Sequence, residues 1–540
     1  MPQGHVLGIE GTAWNLSASV FGRNLVTLHS HAYAPPQGGI HPREAAQHHA
    51  QVMKDVVRRA LSGAGEIRGV AFSQGPGLGP CLRTTATAAR ALALAWNVPL
   101  VGVNHCVAHI EIGRFATGCR DPIVLYASGA NTQVLGFLNH RYRIFGETLD
   151  IGIGNALDKF ARYRHLPHPG GPKIEELARH GQPIDLPYTV KGMDLAFSGI
   201  VTAARESKAP LEDICCGLQE TAFAMCVEVT ERALAHAGKE EVLLVGGVGA
   251  NRRLQEMLST MCRERGACFS VPEQRYLGDN GAMIAYTGKL MLDHGISLPV
   301  EESRIDPGYR ADEVEITWRE PGEGIVPRGP GARTTGIARG AEAVVTLAED
   351  RVEKRRLSKE YRVSLLDRRL ITERTRAEAR LIAAARKAGV PTPILREITA
   401  DTIVMDRIAG PLLKETMTPA HLREAGRMVG RLHRAGIIHG DLTTSNMVVV
   451  TTSHAGGGPS SDAGVSGDRI ALIDFGLSVV SEEVEARGVD LHVLFQTLRS
   501  TTADHAPLRS AFLEGYRETF PDADDVLARE REIEKRGRYL

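Results

Sequence analysis

No uninterrupted apolar stretch in this sequence is long enough to cross a bilayer. The best candidate, residues 86–103, is broken by Arg90, Asn97 and Pro99. No basic segment precedes the first apolar run, and Glu10 interrupts that run, so a signal peptide is not expected. Net charge is missing as well, because Lys+Arg and Asp+Glu both number 64. That balance excludes polyanion binding through bulk charge and leaves only local basic patches for the purpose. Cysteine is scarce and confined. All 8 cysteines lie between Cys81 and Cys268 and none forms a CxxC pair, which disfavours zinc ribbons and a disulfide framework. A reducing, cytoplasmic setting is expected.

What is present is a chain of 540 residues, 43% hydrophobic and 24% charged. That composition is ordinary for a globular protein, and the length predicts two or more domains. Residues 4–318 alternate short apolar strands with Ala-rich helical stretches. Residues 320–336, EPGEGIVPRGPGARTTG, are rich in Gly and Pro without periodicity and read as a linker. The texture then changes: cysteine disappears, and residues 351–380 hold eleven basic residues against five acidic ones. A second low-complexity segment, residues 451–468, reads as a surface insertion. The expected domains are 1–320 and 337–540, joined by 321–336.

The opening VLGIEGTAWNLSASVF is an apolar strand, a small-residue turn and a second strand. Gly11 and Thr12 at that turn let backbone N–H groups approach a phosphate. VLYASGANTQVLGF repeats the unit, with Ser128, Gly129, Ala130 and Asn131 at the turn, and VLLVGGVGANRRL leads from a buried strand to a helix at Asn251. Any one of these also reads as a plain structural turn. Three of them, spread over two halves, favour a duplicated nucleotide-binding α/β fold of the actin and sugar-kinase type. His105 and His109 are four apart, so on a helix they share one face and can share one metal. Their spacing is that of the HExxH proteases, but Cys106 stands where the protease base belongs. Spacing alone leaves two readings open: a metal pair, or two histidines on a helix surface.

VNHCVAHIE, SQGPGLGPCLR, YASGANTQ, NALDKFAR, HPGGPKIEELA, KGMDLAFSG, GGVGANRRLQEM and YLGDNGAMIAY all occur in this chain. Together they resemble the universal tRNA N6-adenosine threonylcarbamoyltransferase family, in its archaeal and eukaryotic branch. The resemblance covers nearly all of residues 4–318. It implies that His105, His109, Asp279 and Tyr126 hold a metal, Fe2+ or Zn2+, since histidine nitrogen with carboxylate and phenolate oxygen suits either. It implies an adenylate pocket at Tyr126, Ala127, Ser128, Gly129, Ala130, Asp158, Gly171, Glu175 and Asn251. Two small departures, SGA for SGG and GGVGAN for GGVAAN, exchange one tiny residue for another. The implied chemistry is transfer of the threonylcarbamoyl group from threonylcarbamoyl-AMP, made by a separate synthase, to N6 of adenosine 37 in tRNA. Glu10 stands where actin-like proteins place a catalytic Asp, and no role follows for it from the sequence.

Farther on, His439-Gly440-Asp441 is followed by Asn446, five residues after the Asp, and then by Asp474-Phe475-Gly476. That is the spacing of a kinase catalytic loop and its magnesium-binding DFG, with Asp441 as proton acceptor and Asn446 and Asp474 holding Mg2+. Upstream, Lys354 on a β-like segment and Glu378 on a helical one can form the pair that positions ATP. The glycine-rich loop is reduced to Gly340, Ala341, Glu342 and Ala343, Gly440 replaces the HRD arginine, and no APE follows. GAEA, KRRLSKEYR, HGDLTTSN, IDFGLS and the terminal KRGRYL resemble the small RIO-like kinase of the KEOPS complex, over about residues 334–540. Fused to the transferase, as in archaea, this domain implies ATPase or serine/threonine kinase activity in support of tRNA modification, with small KEOPS subunits as partners. The arginine-rich stretch reads either as a solvated face or as a contact for the tRNA backbone. The alternatives are a metalloprotease and a kinase domain that acts only as a scaffold.

Overall fold

The computed structural model describes residues 4–35, 39–319, 337–451, 468–502 and 504–535. The expected linker at 321–336, residues 452–467 of the insertion, and residues 536–540 of the terminal KRGRYL lie outside them. Two compact units form, Met1–Pro327 with Glu360–Val363 and Arg328–Lys359 with Ser364–Leu540.

The first unit begins with an antiparallel meander, β1 (His5–Glu10), β2 (Asn15–Phe21) and β3 (Leu25–Ala32). Helix α1 (Pro42–Ala60) leads to β4 (Ile67–Gly75), α2 (Gly79–Trp96) leads to β5 (Leu100–Asn104), and α3 (His105–Thr117) leaves this half. The plan then repeats with the meander β6 (Ile123–Ala127), β7 (Thr132–Leu138) and β8 (Arg141–Glu147). An excursion follows through α4 (Ile153–Tyr163), α5 (Gly170–Ala178), the hairpin β9 (Val190–Lys191) and β10 (Asp194–Leu195), α6 (Ser198–Glu206) and α7 (Leu211–Ala237). It returns to β11 (Glu241–Val245), α8 (Arg252–Arg265) and β12 (Cys268–Ser270), then α9 (Gln274–Leu277) and α10 (Gly281–Asp293). The sheet orders are β3-β2-β1-β4-β5 and β12-β11-β6-β7-β8. Read from opposite ends they are the same, three antiparallel strands and then two parallel ones. This is the duplicated α/β plan expected from the three turns.

Every residue of β2, β5 and β6 is buried, the pattern of strands covered on both faces. Helix α10 comes from the second half of the sequence but packs on β1, β2 and β4 and against α3. That return brings residue 279 to the start of α3. The short stretch Glu360–Val363 belongs to this unit. Tyr361 is buried in its core with its hydroxyl 3.2 Å from Glu231, and Arg362 pairs with Glu228.

The second unit opens with β13 (Ile337–Arg339), β14 (Ala343–Leu347), β15 (Arg351–Arg356), α11 (Ser364–Lys387), β16 (Leu395–Ile398) and β17 (Thr402–Asp406). Its strands form an antiparallel sheet, β13-β14-β15-β17-β16. A mainly helical part follows: α12 (Pro419–Arg434), β18 (Ile437–Ile438), β19 (Met447–Val450), β20 (Arg469–Leu472), β21 (Val479–Val480), α13 (Val484–Thr501), α14 (His505–Thr519) and α15 (Ala523–Lys535). Helix α12 packs along α14, and the core runs from Ile403 through Leu442 and Phe475 to Phe512. The short hairpin β19–β20 and the pair β18–β21 bracket the loops that carry Asp441 and Asp474.

Candidate functional sites

In the first unit, Asn104 caps α3 by accepting the Val107 N–H at 3.1 Å, so the helix starts at His105. Residues 105–113 are all buried, and His105 and His109 are 5% and 0% exposed. They are therefore not surface histidines. Asp279 sits in the turn before α10. Its carbonyl accepts Asn15 Nδ2 at 2.7 Å, and Asn280 caps α10 at Met283. Asp279 Oδ1 lies 3.2 Å from His109 Nε2 and 3.4 Å from His105 Nε2. One ligand atom from each of His105, His109 and Asp279 falls within 4.8 Å of the others. The ring of Tyr126 lies 5.2 Å from that of His109. Among the described residues, the buried Tyr126 hydroxyl and His109 Nδ1 have no hydrogen-bond partner.

A second carboxylate stands behind this group. Glu10 is fully buried; its Oε1 accepts the Thr12 N–H at 2.8 Å and the Thr12 hydroxyl at 2.6 Å, and its Oε2 lies 3.1 Å from His105 Nδ1. Burial works against a charge on His105, yet Glu10 and Asp279 outweigh it and hold its pKa well above the ordinary value. Burial lowers the pKa of His109 and raises that of Tyr126. Burial also pushes the Cys106 thiol up to about 11, so it is no nucleophile near neutrality. Two carboxylates, two imidazoles and an unpaired phenol in one buried spot fit a bound cation.

The adenylate residues implied by the resemblance are linked by a circuit of hydrogen bonds. The turn at 128–131 closes through Ser128 N–H on Asn131 O at 2.8 Å. Its carbonyls at Ser128 and Gly129 accept the N–H groups of Gly154 and Asn155, at the start of α4. Asp158, on α4, accepts the Gly170 N–H at 2.7 Å and so holds the start of α5, where Gly171 follows. Glu175, on α5, accepts the Arg252 N–H at 3.1 Å, and Asn251 caps the same helix α8 through Arg253 and Leu254. Gly246 closes the ring. At φ 92° a side chain is strained, and a Cβ would stand 2.3 Å from the Ala127 carbonyl. Asp158, Glu175 and Asn251 thus brace the frame, while Gly129 and Ala130 are exposed at its turn.

In the second unit Lys354 on β15 donates to Glu378 on α11 at 2.7 Å and to Asp474 at 2.7 Å. Asn446 Nδ2 donates to Asp441 Oδ2 at 2.8 Å. Lys354 is the main cause that depresses Asp474 to about 2. Asp474 adopts a left-handed φ of 61°, a strained backbone held by that ion pair. Gly440 has φ 79° and a Cβ there would meet the Leu477 carbonyl at 2.3 Å. No arginine fits this backbone, which accounts for the missing HRD arginine. The N–H groups of His439 and Gly440 are instead held by the buried Asp490, at 2.8 and 2.9 Å.

Comparison with known proteins fixes the family. Residues 24–286 match tRNA N6-adenosine threonylcarbamoyltransferase, residues 345–455 the RIO domain, and residues 401–516 the lipopolysaccharide kinase (Kdo/WaaP) family. The probable bifunctional tRNA threonylcarbamoyladenosine biosynthesis protein of Methanoculleus marisnigri is 69% identical over 99% of this chain and 98% of its own length. The chain belongs to that bifunctional family. The protein of the same name from Haloarcula marismortui is 47% identical over 99% of this chain and 100% of its own length. The solved structure of HypF from T. kodakarensis is 15% identical, with a TM-score of 0.41 over 56% of this chain and 50% of that one. It adds nothing to so close a sequence match.

This bifunctional protein is a transferase and a RIO-type kinase in one chain, and it acts in tRNA threonylcarbamoyladenosine biosynthesis. The expected fold class, an actin-like α/β domain and a kinase-like domain, holds. The metalloprotease alternative is set aside by the family, and Cys106 stands where that class needs a carboxylate base. Among the described residues no helix is long and apolar enough to cross a membrane. The sequence reading missed Asp490, named Thr12 only as part of a phosphate turn and Arg356 only within KRRLSKEYR, and left Glu10 without a role. Glu10 had a signal, a carboxylate at the end of an otherwise apolar strand. Arg356 had one too, two residues beyond Lys354 and therefore on the same strand face. Asp490 had none, because no kinase motif above includes it.

Proposed function

We propose that the first unit transfers the threonylcarbamoyl group of threonylcarbamoyl-AMP to N6 of adenosine 37, in tRNAs that read codons beginning with adenine. The observation that carries this reading is the buried meeting of His105, His109 and Asp279 beside the unpartnered Tyr126 hydroxyl. These four side chains hold Fe2+ or Zn2+, which supplies a Lewis acid for an oxygen of the adenylate. Glu10 fixes His105 through Nδ1 and leaves Nε2 for the ion. The turn of Ser128, Gly129 and Ala130, with Tyr126, Ala127 and Gly171, receives the adenylate, and Asp158, Glu175 and Asn251 keep that frame rigid. N6 attacks the carbamoyl carbon, the bond from that carbon to the phosphate oxygen breaks, AMP leaves, and N6 gives up a proton.

In the second unit, Lys354 and Glu378 position ATP under the loop of Gly340, Ala341, Glu342 and Ala343. Asn446 and Asp474 hold Mg2+, and Asp441 accepts the proton of the attacking hydroxyl or water. The intact Lys354–Glu378 pair supports catalysis rather than a scaffold role. ATP turnover there supports tRNA modification in a cytoplasmic complex with small KEOPS subunits, and a separate synthase supplies the adenylate. The test is reconstitution from unmodified tRNA, threonine, bicarbonate, ATP, the synthase and these partners, read by nucleoside mass spectrometry. The reading requires threonylcarbamoyladenosine from the unaltered protein and none from His109→Ala; modification by that variant would refute it.

A further inference from the structure

Arg356, the third residue of KRRLSKEYR, has no role in the catalytic motifs above, yet it joins two of them. On β15, Lys354 and Arg356 are buried and Arg355 between them is exposed, so both buried cations occupy one face of the strand. Arg356 Nη2 donates to Glu378 Oε2 at 2.6 Å, and Nη1 donates to Glu342 Oε2 at 2.9 Å. Glu342 lies in the turn between β13 and β14, the reduced loop over the ATP phosphates. The other oxygen of Glu378 accepts from Lys354, which also reaches Asp474, each at 2.7 Å. The charges alternate without a break: Glu342, Arg356, Glu378, Lys354, Asp474.

This arrangement has a consequence for nucleotide binding. When Lys354 turns toward phosphate and Asp474 takes up Mg2+, Glu378 loses part of its counter-charge. Glu378 is 2% exposed, and a buried carboxylate does not tolerate losing its cation. Arg356 keeps one oxygen paired throughout, so Glu378 keeps a cation partner and stays in place. The same guanidinium pins Glu342, while Lys359 Nζ donates to the Ala341 carbonyl at 2.6 Å. A turn with the single glycine Gly340 is thus held from beneath by side chains. Only arginine has the planar fork to serve two carboxylates at once.

We propose that Arg356 is a positioning residue for ATP use, which fixes the loop through Glu342 and neutralises Glu378 so that Lys354 is free for the nucleotide. This rests on Lys354 and Asp474 being the groups that meet MgATP. The test measures ATP hydrolysis by the full chain over a range of MgATP. Arg356→Gln should raise KM about tenfold or more and lower kcat, as expected for losing a charged hydrogen bond on each side. Glu342→Gln should raise KM about fivefold with kcat within about twofold, since its pairs with Arg356 and Arg374 tie down the loop. Arg356→Lys should fall between Arg356→Gln and the unaltered chain. The double variant Glu342→Gln/Arg356→Gln should show less than the product of the two single effects, because both variants remove the same Arg356–Glu342 bond, although Arg374 Nη1 also lies 3.5 Å from Glu342. An unchanged KM in Glu342→Gln, or effects that multiply in the double variant, would overturn the proposal. If Arg356→Gln does not fold, Glu342→Gln decides alone. Hydrolysis that survives Lys354→Met would overturn the underlying reading and this proposal with it. A dead Lys354→Met beside normal Glu342→Gln and Arg356→Gln would overturn this proposal only.

Discussion

Replacing Asp490 with alanine should uncouple the catalytic loop of the kinase unit from its helical part. Asp490 lies on α13 and is 1% exposed. Its carboxylate accepts the backbone N–H groups of His439 and Gly440 and a bond from His433 Nε2, at 2.8, 2.9 and 3.2 Å. The variant leaves two buried amides and a buried imidazole without that acceptor. Losing a buried charged acceptor of this kind costs about 3–5 kcal/mol. Total stabilities run to only about 5–15 kcal/mol, so the unit is left marginal. All three tryptophans, Trp14, Trp96 and Trp318, lie in the first unit. Tryptophan fluorescence therefore follows that unit and serves as the internal control. Hydrogen exchange in the peptide that spans His439 and Gly440 follows the second, and it should rise steeply in the variant while ATP hydrolysis falls. Unchanged exchange at these two amides would refute the reasoning. The pH dependence gives a second check. Burial opposes the charge on Asp490, but the bond from His433 and the nearby imidazoles hold its pKa below the usual carboxylate value. A depressed folded-state pKa gives stability that is present above the ordinary Asp value of about 3.9 and is lost as pH falls below it. Asp490→Ala should therefore show a shallower loss of second-unit stability below about pH 4 than the unaltered chain does.

Three further outcomes are expected. His109→Ala should lose bound metal and transferase activity together, and elemental analysis that finds stoichiometric metal in the variant would count against the site. Glu10→Gln removes the carboxylate behind His105 and should weaken metal binding by about 10–100-fold, read by competition with a chelator; equal affinity would leave Glu10 a purely structural residue. Asp474→Ala should abolish ATP hydrolysis by the second unit and leave the metal at His105, His109 and Asp279 at full occupancy. In multiple-turnover assays the same variant should modify tRNA poorly, and normal turnover would reduce the second unit to a scaffold.

The sequence carried the local parts of both sites and little of their long-range assembly. The β1–β2 and β6–β7 turns were legible because small residues interrupt two apolar strands at equivalent places. Their duplication predicted the repeated sheet order. His105 and His109 were legible as a pair through helical spacing, but spacing does not say whether a helix face is covered. The burial of α3 settles that, and it depends on α10 returning from far along the chain. Asp279 and Tyr126 could be joined to the pair only through the family resemblance, since no local pattern links residues so distant. In the second unit Asp441, Asn446 and Asp474 were named from motif spacing, and Lys354 and Glu378 from the β-like and helical segments that carry them. Gly440 was read as a departure; its backbone at φ 79° against the Leu477 carbonyl explains it as a requirement.

The two sites answer the same electrostatic problem with different means. On the proposed readings each gathers carboxylates where a ligand cation would be held, and a buried carboxylate without a counter-charge is costly. In the transferase unit Glu10 and Asp279 face imidazoles on one rigid helix, and the unpartnered Tyr126 hydroxyl stands beside them. The side chains there are locked by burial and by the caps at Asn104 and Asn280, which suits a resident metal that stays through many turnovers. In the kinase unit Asp474 is paired with the ammonium of Lys354, a long side chain on a strand, and its own side chain is 48% exposed. On the proposed reading that pair would open to admit MgATP. Under the proposal above, Arg356 would leave Glu378 a cation partner when that pair opens. On the proposed readings, a permanent and an exchangeable metal would differ in what neutralises the carboxylates before the ligand arrives.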